Sequence, residues 1–385
     1  MLAKPVESKP VVAGGNLVTI TAANPSPFAR ARETIAVSGA EFAKLVAGLE
    51  LKKALVSDAG GRAVLSQLVD TSGDDEPDEL VFQADFAPGE VKRFNVRLGE
   101  RPHAVAAAEY KVYGRFVRER HDDFVWENDL VAHRMYGPDL ETWAKDPLVS
   151  SGIDTWAKRT NKLVVNEWYM TDDYHQDAGQ GADFYGVGKS RGCGGLGVWA
   201  GGKLHPSRNF IRSRVLANGP IRLVFELTYA PWELPGGARV SEVKRITLDA
   251  GSAFNRFDST FSGVKGALSV GIGIAKHAGG ALQVDAGTSS MRVWEPVKDT
   301  KGTASGNLGC AVVLSPGAPL DAQSSELDHI AVTPTDAFGH LSYRVGSAWD
   351  RAGHVRDAAA WAKSVENVAA KAAVPLQVQL TLATK

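Results

Sequence analysis

The sequence predicts an all-β protein, with a small N-terminal β-sandwich joined to a large C-terminal β-supersandwich-like domain that carries one late helix. Three observations carry this expectation. From Leu17 to Leu98, short runs of β-branched and aromatic residues alternate with turn signals at roughly ten-residue spacing. Beyond about residue 105 the β-patterned runs continue almost to the C-terminus. A single stretch, HVRDAAAWAKSVENVAAKAA, is Ala-rich with apolar spacing near 3.6, and Pro375 closes it.

Residues 1–16 read as a disordered leader. In residues 17–98 the strands LVTITA, ETIAVSG, KKALVSD, AVLSQLVD, ELVFQADF and VKRFNVRL are separated by turns such as SDAGG, TSGDDEPD and APGE. VKRFNVRL alternates apolar and polar residues, as a strand with one wet face should. This segment contains no histidine and few aromatics, so it reads as an accessory sandwich. GERPHAVAAAEY, 99–110, is the junction. All nine tryptophans and all eight tyrosines lie after residue 109, which places the chemistry in residues 105–385. There KLVVNEWYM, IRLVFELTYAPW, VSEVKRITLD, FNRFDSTFSG, LSVGIGIAKH, GCAVVLSPG, HIAVTP and LSYRVGSAW read as strands, and PLQVQLTLA as a last strand after the helix. That is too long for a simple immunoglobulin sandwich and fits a many-stranded supersandwich or barrel.

Composition excludes several function classes. The net charge of −1 gives no global reason to bind nucleic acid or a membrane surface. No apolar run approaches the ~20 residues of a membrane span. Cys193 and Cys310 are too few for a disulfide framework or a Cys-based zinc site. They either form one disulfide or stay small buried side chains. The start MLAKPVESKP contains no h-region or cleavage site, so either the protein is cytoplasmic or a signal peptide has been removed; its abrupt Lys/Pro/Ser character favours the second, and a periplasmic or secreted location is expected. No nucleophile elbow, Walker loop or H-E-x-x-H motif is present. GIGIAKHAGG, 271–280, superficially resembles a nucleotide loop but sits in a β context without a following helix. Nothing in the sequence fixes an oligomeric state.

The chemistry concentrates in residues 166–202. Asp172, Asp173, His175, Asp177 and Asp183 fall within twelve residues, among Tyr169, Tyr174 and Tyr185, and ten glycines follow between Gly179 and Gly202. Such a backbone buries little side chain. Titratable and aromatic groups held on it are ingredients of a site, although Asp and Gly also serve plain turns. If extended, Asp173, His175 and Asp177 point one way and could orient an imidazole as general base. The same oxygens leave a Ca²⁺ site open, but no second histidine stands at ligand spacing, and no metal or other cofactor is expected. A second feature is charge. Between Asp183 and Glu226 there is no acidic residue, yet Lys189, Arg191, Lys203, Arg208, Arg212, Arg214 and Arg222 lie there with His205. Such a window favours an anionic ligand, unless some of these cations are ordinary solvated strand residues. A third is the strand VAHRMYG, where Arg134 and Tyr136 share one face and could pair a cation with a phenol.

The runs DDFVWENDLVAHRMYGP, SGIDTWAKR and WYMTDDYHQDAGQGADFYGVGKSRGCGG, with GSAWDRAG near the end, are long and distinctive. They resemble an uncharacterised bacterial domain family found in polysaccharide-utilisation gene clusters, beside unsaturated glucuronyl hydrolases and pectin- or ulvan-degrading enzymes. The resemblance spans roughly residues 105–385. It implies an exported enzyme acting on uronate-containing oligosaccharides, and the gene company implies β-elimination by a lyase or dehydratase.

Elimination at a uronate needs a cation to neutralise the carboxylate, a base for the C5 proton and an acid for the oxygen leaving C4. Arg134, Lys189 and Arg191 are candidate neutralisers, His175 the candidate base, and Tyr136, Tyr174 or Tyr185 the candidate acid. Lys203, His205, Arg208, Trp168 and Trp126 complete the expected binding surface for an anionic oligosaccharide. Two alternatives stay open. One is a glycoside hydrolase with paired carboxylates from Glu127, Asp172, Asp173 and Asp183. The other is a carbohydrate-binding module with Trp126, Trp156, Trp168 and Trp199 as stacking platforms.

Overall fold

A computed structural model describes residues 15, 17–101, 105–145, 147–171 and 173–383. The expected leader at 1–16 lies outside the described residues except for Gly15, and Asp172 lies outside them too. The fold is all-β, and its strands form five sheets. Among the described residues no helix is long and apolar enough to cross a membrane.

The chain divides into two compact units. The first contains a four-stranded antiparallel sheet, in the order Gln377–Leu382, Val18–Ala23, Val91–Leu98 and Ala54–Asp58. A three-stranded sheet of Arg30–Ser38, Glu79–Phe86 and Ser66–Val69 packs on it. Val18, Ile20, Phe94 and Val96 from one sheet and Ile35, Val37, Leu80 and Phe82 from the other share one core. Phe82 and Phe94 meet edge to face at 4.8 Å. The last strand, expected to end the larger domain, instead pairs along the whole of Val18–Ala23. Its alternation QVQLTL turns Val378 and Leu380 toward that core, which periodicity alone could not assign to a sheet. A seven-residue helix, Gly39–Leu45, was not expected. Ser38 caps it in a full capping box with Glu41, and Phe42 anchors it in the core.

The second unit holds an eight-stranded antiparallel sheet, in the order Arg212–Asn218, Arg222–Glu233, Arg239–Asp249, Phe254–Ser262, His340–Trp349, Ala304–Leu314, Ser290–Lys298 and Ala281–Asp285. A five-stranded sheet centred on Cys193–Ala200, Ser269–Ala275 and Asp328–Pro334 packs against it. Leu196, Val198, Val270, Ile272 and Ala331 of one sheet share a core with Phe225, Leu227, Ile246, Phe257 and Val345 of the other. Cys193 and Cys310 are buried here as free thiols, which settles the choice left open by the sequence.

The late helix forms as the periodicity requires, over Ala358–Ala373. Asp357 caps it by accepting from the Ala360 N–H at 2.8 Å. Trp361, Val365 and Ala369, one turn apart, are its buried face. Trp361 stacks on Phe254 of the large sheet with ring centroids 5.5 Å apart. The sheet makes room through Gly309, where a Cβ would fall 2.6 Å from Trp361 Nε1. Gly309→Ala is therefore expected to cost about 1–3 kcal/mol by overpacking, read as a lower urea midpoint. An unchanged midpoint would mean that the helix yields freely.

A third sheet positions the site. Its strands are Val112–Val117, Asp123–Asn128, Ala132–Met135, Asp154–Lys158 and the two-residue Gly181–Ala182. Every residue of the middle three is buried, so both faces are covered. The run KLVVNEWYM, expected as a strand, instead contains a short helix, Val165–Tyr169, against this sheet. Val165 and Trp168 lie three residues apart and both turn inward.

Candidate active site

Strand register sets the centre of the site. Asp154 lies directly across from Arg134 on the neighbouring strand. Arg134 Nε and Nη2 both donate to Asp154 Oδ2, at 3.0 and 2.6 Å. Nη2 also donates to Asp183 Oδ2 at 3.1 Å, and Nη1 donates to the Tyr174 hydroxyl oxygen at 2.8 Å. Asp123 Oδ2 stands 3.9 Å from Nε. The guanidinium lies over the rings of Tyr136 and Trp156 at 5.3 and 5.5 Å. One cation thus faces three carboxyls that are almost wholly removed from water.

Like charges in so small a dry volume cannot all ionise freely. Burial pushes the Asp123 carboxyl up to about 7, against the pull of Arg134. Burial and the neighbouring Asp183 push Asp154 to about 7 as well. Burial works against the charge on Arg134, but Asp154, Tyr174, Tyr136 and Asp183 outweigh it and hold the guanidinium firmly protonated. Burial likewise raises Tyr136 and Tyr174, so both stay phenols at neutral pH.

His175 is where this cluster meets solvent, its side chain about one-third exposed at 34%. Its ring stacks on Tyr174 at 4.4 Å. Nε2 faces Asp183 Oδ2 at 3.5 Å and Nδ1 faces Asp173 Oδ1 at 3.2 Å. The hydrogen bond to Asp183 raises its pKa, over the opposing effect of burial. The expected Asp-His-Asp comb therefore forms, but with Asp183 in place of Asp177. Asp177 turns away to pair with Arg159 and to accept from the Gly179 and Gly181 N–H groups. Both glycines have positive φ, 105° and 113°, which lets one carboxylate oxygen reach both amides.

The remaining expected residues disperse. Arg134, expected to meet a substrate carboxylate, is already engaged by Asp154 and Asp183. Tyr136 is buried, its ring beneath Arg134. Tyr185 lies apart from Arg134, buried, with its ring edge-on to His277 at 5.0 Å. Arg191 is buried and donates to Ser151 Oγ at 2.8 Å and to the Lys189 carbonyl at 3.2 Å. Lys203 is exposed on the hairpin strand Lys203–His205, where His205 Nε2 sits 3.2 Å from the Ala200 carbonyl. Arg208 pairs with Glu141, and Arg214 reaches the Gly73 carbonyl from an edge strand of the large sheet. The cations of the acid-free window do not line one cleft with Tyr174 or Tyr185. Trp126 and Trp168 are no stacking platforms. Trp126 is fully buried and donates to Asn255 Oδ1 at 2.8 Å, and Trp168 is buried against Trp156 at 5.5 Å.

Sequence reasoning missed Asp123, Asp154 and Arg120. Arg120 Cζ lies 5.3 Å from the Tyr174 ring centre, and its charge opposes the burial that raises the Asp123 carboxyl. The signal for Asp154 was an acid inside the otherwise strand-like IDTWAK, the kind of residue that is buried only with a partner. Glu127 is likewise buried and paired, with Lys158 Nζ at 2.5 Å. Among the described residues no group of three or more His, Cys, Asp or Glu side chains is arranged to hold a metal ion.

Comparison with known proteins agrees with this architecture. A protein in the glycosyl hydrolase family 38 from Enterococcus faecalis superposes with a TM-score of 0.52 at 12% identity, over 95% of this chain and 47% of that one. An alpha-mannosidase from Enterococcus faecalis V583 gives 0.44 at 10% identity, over 94% and 46%. The chain thus spans about half the length of these solved structures, and what it shares with the first is fold. Uncharacterized protein P7 of Formosa agariphila is 32% identical over 377 residues, covering 94% of this chain and 93% of that protein. The family model for the domain of unknown function DUF4861 matches residues 22–378, and the chain belongs to that family.

Proposed function

We propose that this protein is an exported carbohydrate-active enzyme that performs β-elimination on uronate-containing oligosaccharides, as a lyase or dehydratase. The observation that carries this reading is the stacked pair of His175 and Tyr174, a partly exposed imidazole on a phenol, braced from behind by Asp183 and Arg134. His175 stands between two carboxylates, Asp183 at Nε2 and the more exposed Asp173 at Nδ1; a neutral ring that keeps its proton on Nε2 toward the buried Asp183 has Nδ1 as its basic atom, once Asp173 turns aside for the substrate. Tyr174 accepts from Arg134 through its oxygen, so its own hydrogen stays available to a leaving group. In the reaction, the C5 proton passes to His175 Nδ1. The electron pair closes the C4–C5 double bond, the C4–O bond breaks, and the departing oxygen takes the Tyr174 proton. Arg120, beside the same phenol, takes the role expected of Arg134 in neutralising the uronate.

The hydrolase reading is weaker on these side chains. Of the carboxylates expected for it, Glu127 and Asp183 are buried and engaged by Lys158 and Arg134, Asp173 is exposed beside His175, and Asp172 lies outside the described residues, so no two described ones flank a glycosidic bond with open access. The uronate-degrading company implied by the sequence motifs supports the same substrate class.

Incubation with ulvan, pectin and alginate oligomers tests this, following ultraviolet absorbance of the conjugated uronate together with product mass. Loss of one water identifies a dehydratase, and cleavage with new absorbance a lyase. Cleavage without absorbance overturns elimination. Tyr174→Phe keeps the ring and its stacking but removes the proton donor. It is expected to lower kcat by about 10²-fold or more with KM little changed.

A further inference from the structure

A cavity of about 520 Å³ is lined by Phe184, Tyr185, His277, Pro296, Val297 and Lys298 among others. The volume suits a small ligand or sugar units. The chain links it to the His175 loop at two points. Asp183, which braces His175, is followed directly by Phe184 and Tyr185 in the cavity lining. On the other side of His175, Gln176 Nε2 donates to Thr300 Oγ1 at 2.6 Å. That bond ties the loop to the chain just beyond Lys298.

The cavity is firmly built. His277 Nδ1 meets Glu295 Oε1 at 2.8 Å and Nε2 meets the Gly186 carbonyl at 2.7 Å. Both partners are acceptors, so the ring makes both bonds only as an imidazolium. Glu295 beneath it is 1% exposed, and the two bonds hold the ring in place at the cavity wall. Lys298 is different. It is exposed at the rim and pairs with no carboxylate among the described residues. Phe184 is partly exposed, and its ring is braced by Trp349 at 5.4 Å. A partly exposed aromatic ring with an uncompensated cation nearby matches a pyranose that carries a carboxylate.

We propose that this cavity is a second sugar subsite, holding the uronate unit next to the one that reacts, with Lys298 meeting its carboxylate and Phe184 its ring. The proposal rests on the reading of the protein as a uronate-oligomer enzyme, but its test does not require turnover. Calorimetric titration of the His175→Ala protein with uronate trimers from pectin, alginate and ulvan measures binding directly. At least one trimer is expected to bind, and its methyl ester much less. Adding Lys298→Ala is expected to weaken binding about tenfold, the scale of one charge-assisted hydrogen bond, and Lys298→Arg to restore most of it. Wild-type affinity in the Lys298→Ala background, equal binding of the methyl ester, or binding of no trimer overturns the subsite. Binding that depends on Lys298 without turnover of any oligomer by the wild type would uphold the subsite and overturn the elimination chemistry.

Discussion

His175→Ala is expected to lower turnover of the uronate oligomer by ~10²–10⁴-fold, the usual cost of losing a general base. Folding should be nearly unaffected. The side chain is partly exposed, and Asp183 keeps its bond from Arg134 at 3.1 Å when the imidazole is gone. The pH profile gives a more specific signature. Only the neutral imidazole accepts a proton, and the Asp183 hydrogen bond raises His175 above its ordinary 6.5. The rate should therefore rise with pH through a limb lying above 6.5. Asp183→Asn, which removes the charge but keeps the shape, should shift that limb downward. Stability has the opposite sign. A group whose pKa is raised by folding stabilises the native state below its unfolded pKa, and that contribution fades as pH rises through the folded one. His175→Ala should thus cost stability only on the acid side of its titration. Full activity in His175→Ala, or a limb that Asp183→Asn leaves in place, would sink the assignment and move attention to Arg120 and Tyr174.

The strands were legible because each is short, patterned and punctuated by turns, and the late helix because its apolar period differs from theirs. Partnership was not legible. Gln377–Leu382 reads as any edge strand, and nothing local says that its neighbour is Val18–Ala23, more than 350 positions earlier. Val165–Tyr169 is rich in β-branched and aromatic residues, yet it is helical because Val165 and Trp168 find burial on one face. The site shows the same division. His175 and Tyr174 were found through local density, but the arginine that braces the phenol is 40 positions away and the aspartate across from Arg134 is 20. The acid-free window misled for the same reason, since acid-free sequence is not acid-free space. Arg208 meets Glu141 and Arg222 meets Asp249 at 2.7 Å, with both acids outside the window. Local composition reported a positive field that the fold neutralises in part.

Arg134→Met should be the most destabilising single change at the site, by about 3–5 kcal/mol at neutral pH, because it leaves buried carboxyls without their cation. Methionine keeps most of the side-chain volume, so packing against Tyr136 and Trp156 is largely spared and the loss reports charge. The pH dependence separates this from an ordinary packing defect. In the wild type, Asp123 and Asp154 titrate near 7 in the fold against an ordinary 3.8, so the native state binds more protons than the unfolded chain between those values. Stability therefore falls as pH rises across that interval. Without the guanidinium the same carboxyls should rise further, extending the fall to higher pH. At about pH 5 the carboxyls are protonated in the fold of either protein, so the variant should lie close to wild type, and the gap should open steadily toward about pH 8. Adding Asp154→Asn to Arg134→Met should recover part of the loss at alkaline pH, because it removes one of the orphaned charges, whereas Asp154→Asn alone should not stabilise the wild type to the same extent. Urea unfolding of the four proteins across that pH range makes the comparison. A loss that is constant with pH, or one that Asp154→Asn fails to relieve, would mean that Arg134 contributes through shape rather than by holding these carboxyls in place behind Tyr174 and His175.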